Sequence, residues 1–146
     1  MKRRDFITSS TIAASTILFP SWKGFTASSL IPSELLAIKG NGENFTLKRT
    51  DIANLRKSLK GKLLLKDDYG YEVARLVRNR IIDKKPAIIA QCVDESDIQK
   101  AVNFAREHSL LTAVKCGGHS VSGKGTCDQG LIIDLSPFKG TRLDKK

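Results

Sequence analysis

The chain has 146 residues, 40% of them hydrophobic and 27% charged, with a net charge of +10. That is the composition of an ordinary soluble domain built on one core, and it excludes a string of several folded domains. The positive charge is spread along the chain and aromatics make up only 6% of it, with no basic stretch interleaved with them, so no nucleic-acid groove is expected.

Residues 1–28 read as a segment separate from the fold. Lys2, Arg3 and Arg4 precede a mildly apolar run from Ile7 to Phe19 that contains six Ser or Thr. It is too short and too polar for a stable membrane span, which needs about 20 mostly apolar residues. A cationic start and a modest apolar run describe a signal peptide, with an N-terminal amphipathic helix or poorly inserted anchor as the alternative. The paired arginines followed by Asp5, Phe6 and Ile7 resemble the twin-arginine export signal, and cleavage near Ala27 or Ser28 is expected. Export by that route places the protein in the periplasm or outside the cell. It also implies a protein that leaves the cytoplasm folded, often with a cofactor already bound.

Residues 29–49 contain Pro32, Gly40, Asn41 and Gly42 without a sustained period, which predicts a linker or extended arm. Thr50 is placed to cap a helix from Asp51 to Leu59, with Ile52, Leu55 and Leu59 on one stripe and Gly61 beyond its end. Leu63 to Leu65 reads as a short buried strand. Asp67 or Asp68 then caps a second helix from about Tyr69 to Asn79, with Val73, Leu76 and Val77 sharing a face.

Pro86 opens the apolar run "PAIIAQCV", of strand length, and Asp94 begins "DESDIQKAVNFAREH". The carboxylates of that first turn suit a helix N-terminus, and Ile98, Ala101, Val102 and Ala105 form one stripe. "LLTAVK" and "LIIDLS" read as two further strands. Ala87–Cys92 and Leu110–Lys115 are expected to be parallel neighbours joined through the helix between them.

Between the last two strands lies "VKCGGHSVSGKGTCDQG", which holds five of the glycines, two of the three cysteines and one of the two histidines. Gly118, Gly123 and Lys124 fit the opening of a P-loop. Gly125 then stands where its hydroxyl belongs, Thr126 comes one place late, and the chain returns to a strand instead of launching a helix. Cys116, His119 and Cys127 could supply three soft metal ligands, but the second cysteine pair of a structural zinc site is missing. In an oxidising compartment Cys116 and Cys127 could also pair, whereas Cys92, inside an apolar strand, reads as a small buried hydrophobe. The remaining reading is a cradle for a diphosphate. Glycines let backbone N–H groups converge on an anion, with Lys115 and Lys124 close by.

The succession "YEVARLVRN", "PAIIAQCVDESDIQKAVNFAREHSLLTAVKCGGHSVSG" and "GLIIDLS" with Asp134 resembles the N-terminal FAD-binding region of the berberine bridge enzyme-like, FAD-linked oxidases, over about residues 50 to 140. The resemblance implies an α+β, PCMH-type FAD-binding fold, present as its N-terminal β-α-β subdomain and truncated, with residues 50–146 forming part of that domain. It further implies that Lys115, Cys116, Gly117, Gly118, His119, Ser120 and Gly123 bind the cofactor. His119 matches the histidine that many relatives link to the flavin 8α-methyl carbon, and some relatives bind FAD without that bond. Lys115 and Cys116 stand where arginine and a small Ser or Gly are more usual. Relatives oxidise small alcohols, sugars or alkaloid-like molecules and commonly pass electrons to oxygen. Their substrate domain and base lie in segments this chain does not contain, so a catalytically inert FAD-binding fragment is the second reading and a metal-binding loop the third.

Overall fold

The computed structural model describes residues 30–140, so the expected signal segment lies outside the described residues. A hairpin of β1 (Glu34–Ile38) and β2 (Asn44–Lys48) leads into α1 (Arg49–Ser58), followed by β3 (Lys62–Leu64), α2 (Tyr71–Arg75), β4 (Ile88–Gln91), α3 (Glu95–Glu107), β5 (Thr112–Lys115) and β6 (Leu131–Asp134). The last four strands form one sheet in the order β3-β4-β6-β5, with β3 antiparallel to β4 and the other pairs parallel.

The strand periodicity of two sorts the core into two layers. Ile88, Ala90, Leu131 and Ile133 face α1, α3 and the hairpin, where they meet Ile52, Leu55, Ala101 and Phe104. Ile89, Ile132 and Ala113 face the other way, onto Tyr71 and Ala74 of α2 and onto Cys127. The sheet is therefore covered on both sides, as parallel strands require.

The segment expected to be a linker or extended arm, residues 29–49, forms this hairpin. Asn41 and Gly42 make its turn, Gly42 at φ +88°, and Ala37 and Leu47 are buried in the main core. An Asn-Gly pair between alternating apolar residues is a hairpin signal. The turn is closed by the Lys39 N–H on the Glu43 carbonyl (2.9 Å), and the Ile38 carbonyl accepts from the Leu111 N–H (2.8 Å). The fold thus begins well before residue 50.

The second helix is half the expected length. Tyr71 and Ala74 are its buried residues while Val73 is exposed, because the chain leaves the helix at Leu76 to run beneath the glycine-rich loop. Asp68 does not cap that helix either, since its carboxylate accepts from the Leu65 N–H (2.9 Å) and pairs with Arg56 (2.7 Å). Likewise the N-cap residue of α1 is Lys48, with no side-chain cap, so Thr50 does not serve as one. In α3, Asp94 caps the Asp97 N–H at 2.9 Å, and Phe104 takes the buried place expected for Val102, which is exposed.

The expected neighbours β4 and β5 are not adjacent, for β6 lies between them. All four residues of β6 are buried, and a strand with no solvent face is best placed at the centre of the sheet. This ordering brings Gln91, Asp134 and Lys115 into one row at the carboxyl ends of the three parallel strands.

Candidate functional site

Ligands of open α/β sheets sit beyond the carboxyl ends of the strands, and the loop 116–130 emerges there. Its first residues bend back over the segment 76–82. Gly118 adopts φ +68°, a left-handed conformation that glycine takes without strain, and lies in van der Waals range of the Val77 backbone. Gly123, at φ +72°, lies against Ile82, whose Cδ1 would come within 2.6 Å of such a Cβ. Asn79 Nδ2 adds a hydrogen bond to the Val121 carbonyl at 3.1 Å.

Four carbonyls of the loop are tied down. That of Lys115 accepts from the Leu135 N–H (2.7 Å), that of Gly118 from the Arg78 N–H (2.9 Å), that of Ser120 from the Gly123 N–H (3.2 Å), and that of Cys116 from the Ser136 hydroxyl. No peptide in the described chain is cis, so in each unit the following N–H points away from the tethered oxygen. These are the N–H groups of Cys116, Gly117, His119 and Val121. None of them has an acceptor among the described residues. Amides left without a protein acceptor in this way are the groups from which anion-binding concavities are built.

A concavity of about 210 Å³ lies here, lined by Val114 to Ser120 and Gly125, and so by three of the four residues whose amides are unpaired. Complete small-molecule sites occupy roughly 300–1,000 Å³, so this surface suits one portion of an extended dinucleotide. The unpaired amides and the absence of side chains at Gly117 and Gly118 fit a diphosphate. The His119 imidazole is exposed at its rim.

The residues expected to bind the cofactor divide into two groups. Cys116, Gly117 and His119 lie on the outer surface, and the buried Gly118 forms the bend between them. Lys115 points inward instead: its ammonium bonds the Ala74 carbonyl and lies 3.6 Å from the Asp134 carboxylate. Gly123 spends its N–H on Ser120, and the Ser120 hydroxyl accepts from the Lys124 N–H at 3.1 Å. Lys115 and Gly123 therefore shape the loop from within, while the half-buried Ser120 braces the Lys124 amide at the edge of the concavity.

Cys127 is buried in the cluster that holds Tyr71, Ala74 and Ile132, whereas Cys116 and His119 are exposed. The three cysteines are unpaired, and burial pushes the thiols of Cys92 and Cys127 up to about 11. No group of His, Cys, Asp or Glu among the described residues could hold a metal ion.

Sequence reasoning passed over Ser136, Gln91 and the backbone of Arg78. Asp134 accepts from Gln91 Nε2 (3.2 Å) and from the Ser136 N–H (3.1 Å), and its carboxylate also lies 2.6 Å from the Ser136 hydroxyl. Nothing local marks Ser136, because its importance arises only when β6 is placed beside β5.

Residues 86–146 match the family described as FAD binding domain. Among curated proteins the chain is similar to (R)-6-hydroxynicotine oxidase of Paenarthrobacter nicotinovorans, at 31% identity over 60% of this chain and 19% of the relative. It is also similar to the FAD-linked oxidoreductase pgmH of Aspergillus terreus, at 30% over 79% of this chain and 24% of the relative. Among solved structures, 6-hydroxy-D-nicotine oxidase from Arthrobacter nicotinovorans superposes with a TM-score of 0.57 at 29% identity, covering 60% of this chain and 19% of that one. A berberine bridge enzyme-like protein of Physcomitrella patens shares the fold with a TM-score of 0.55 at 21% identity, covering 64% and 21%. The chain thus spans about a fifth to a quarter of the length of the relatives it matches. The fold is that of the PCMH-type FAD-binding oxidases, in part, and the cofactor supported by the matched FAD binding domain is FAD.

Proposed function

We propose that this chain is the FAD-binding portion of an exported FAD-linked oxidoreductase, and that the loop from Cys116 to Ser120 holds the FAD pyrophosphate. The observation that carries the reading is the set of four peptide units whose carbonyls are tethered and whose N–H groups are free. Two linked phosphoryl groups offer the acceptors such a set lacks. FAD, when bound, supplies two-electron oxidation of a small organic molecule.

His119, exposed beside the amides, is proposed as the covalent attachment point on the flavin 8α-methyl carbon. One N–C bond then replaces an imidazole N–H and a methyl C–H, and the two electrons and two protons released pass to dioxygen, giving hydrogen peroxide. Attachment of this kind fixes the ring relative to the loop. Export rests on Arg3, Arg4 and the apolar run that follows. The chain spans about a fifth to a quarter of its relatives' length, so turnover and cofactor binding are tested separately.

The test is to purify the chain, add FAD, precipitate with acid and read flavin absorbance in pellet and supernatant. The expected result is flavin in the pellet of the wild type and only dissociable flavin with His119→Ala. A folded wild-type sample that takes up flavin in neither fraction overturns the proposal. Flavin found only in the supernatant overturns the covalent bond alone.

A further inference from the structure

Ser136 stands just past the end of β6, outside the glycine-rich loop, yet its hydroxyl reaches the Cys116 carbonyl 20 residues earlier in the chain. On its other side the same hydroxyl lies 2.6 Å from Asp134 Oδ1. A hydroxyl carries one proton. Asp134 is otherwise supplied: Oδ1 accepts the Ser136 N–H, Oδ2 accepts from Gln91 Nε2, and the Lys115 ammonium is 3.6 Å from Oδ2. The hydroxyl donates to Asp134 Oδ1 as well, so its one proton is shared between the carboxylate and the Cys116 carbonyl in a three-centre bond. The Lys115 ammonium, anchored on the Ala74 carbonyl, holds the carboxylate in place from behind.

We infer that Ser136 is a positioning residue for the cofactor: by holding the Cys116 carbonyl inward, it aims the Gly117 N–H outward at the bound diphosphate. The inference rests on the proposed role of the loop. The Cys116 carbonyl and the Gly117 N–H belong to one planar trans peptide, so a free carbonyl would let that unit rotate and withdraw its donor. The neighbouring unit, Gly118 to His119, is held separately by the Arg78 N–H. Loss of Ser136 should then silence one amide and leave the other working.

Ser136→Val and Ser136→Thr are near-isosteric and differ in the hydroxyl. FAD affinity is measured by fluorescence titration of the full chain, together with the amide NMR signals of Gly117 and His119 before and after FAD. Ser136→Thr is expected to bind within about twofold of wild type. Ser136→Val is expected to bind roughly three- to tenfold more weakly, the scale of one hydrogen bond, with the Gly117 response to FAD lost and the His119 response kept.

Equal affinity and equal Gly117 responses in both variants overturn the inference while leaving the FAD site intact. So does a Ser136→Val protein in which both amides lose their response together, since that marks a general structural role. Should Ser136→Val not fold, Ser136→Thr still decides: with the hydroxyl present, a Gly117 signal indifferent to bound FAD overturns it. A wild type that binds no FAD overturns the parent reading as well.

Discussion

Asp97, buried in the first turn of α3, closes the turn at Gly61, 36 residues earlier in the chain. Its carboxylate accepts from the Lys60 N–H at 2.8 Å, from the Gly61 N–H at 2.9 Å and from the Val93 N–H at 3.3 Å. Gly61 has no freedom to be anything else, for a Cβ there would lie 1.8 Å from the Gln91 carbonyl oxygen. One carboxylate thus fastens the entry of β3 and the exit of β4 to the start of α3.

Asp97→Asn should destabilise the chain by about 1–3 kcal/mol, because an amide brings a donor among three N–H groups that all need acceptors. Urea unfolding would show it as a lower midpoint with an unchanged slope. Gly61→Ala should cost at least as much through the clash with backbone.

Gly117 and Gly118 make separable predictions. A Cβ on Gly117 would lie 2.5 Å from His119 Cδ2, so Gly117→Ala pushes the imidazole aside while leaving the peptide tethers in place. Acid-stable flavin should fall sharply and dissociable FAD should persist. Gly118→Ala instead strains a left-handed residue by about 1–2 kcal/mol and should weaken both forms of binding. Flavin partition after acid precipitation separates the two variants; identical behaviour would argue against His119 as the attachment point.

How much of this was legible in the sequence depends on the range of the forces involved. α1, α3 and the four strands of the main sheet stood out because a periodic apolar stripe or a compact apolar run is a local property, as in "LIIDLS". Asn41, Gly42 and the alternation of Leu35, Ala37, Phe45 and Leu47 announce the hairpin, but Pro32 and the glycines interrupt the apolar pattern there as they do in a linker. Strand order is not a local property: sequence adjacency favours β4 beside β5, while complete burial of β6 favours the centre. Within the site, the glycines and His119 declared themselves by type. The inward turn of Lys115 and the reach of Ser136 did not, as both depend on partners at least 20 residues away.

Lys115 is expected to matter for stability before it matters for the cofactor. Its side chain and that of Asp134 are 7% and 1% exposed, so removing the ammonium leaves a buried carboxylate without its counter-charge. Lys115→Met should lower stability by roughly 3–5 kcal/mol, the range for breaking a buried pair from one side. Adding Asp134→Asn should recover part of that loss, and a double-mutant cycle by urea unfolding measures the coupling. Additive effects would mean that the two charges do not sense each other.

Alkaline pH should expose the buried thiols. Cys92 and Cys127 have an ordinary value of 9.0, and burial raises both to about 11 in the folded chain. Tyr71, whose hydroxyl donates to the Pro86 carbonyl at 2.7 Å, is raised to about 12, chiefly by burial. Between about pH 9 and 11 the unfolded chain therefore releases thiol protons that the folded chain retains, and the unfolded state is favoured as pH rises. Stability should be level below about pH 8 and then fall by at most about 1.4 kcal/mol per pH unit for each thiol. Below about pH 10, where Tyr71 with its ordinary value of 10.0 adds little, Cys127→Ala removes one of the two thiol contributions, so the slope between about pH 9 and 10 should be close to halved even where the variant is less stable at neutral pH. An unchanged slope would mean that Cys127 ionises in the folded chain as readily as in the unfolded one. That would contradict its packing beneath Ile132 and Ala113.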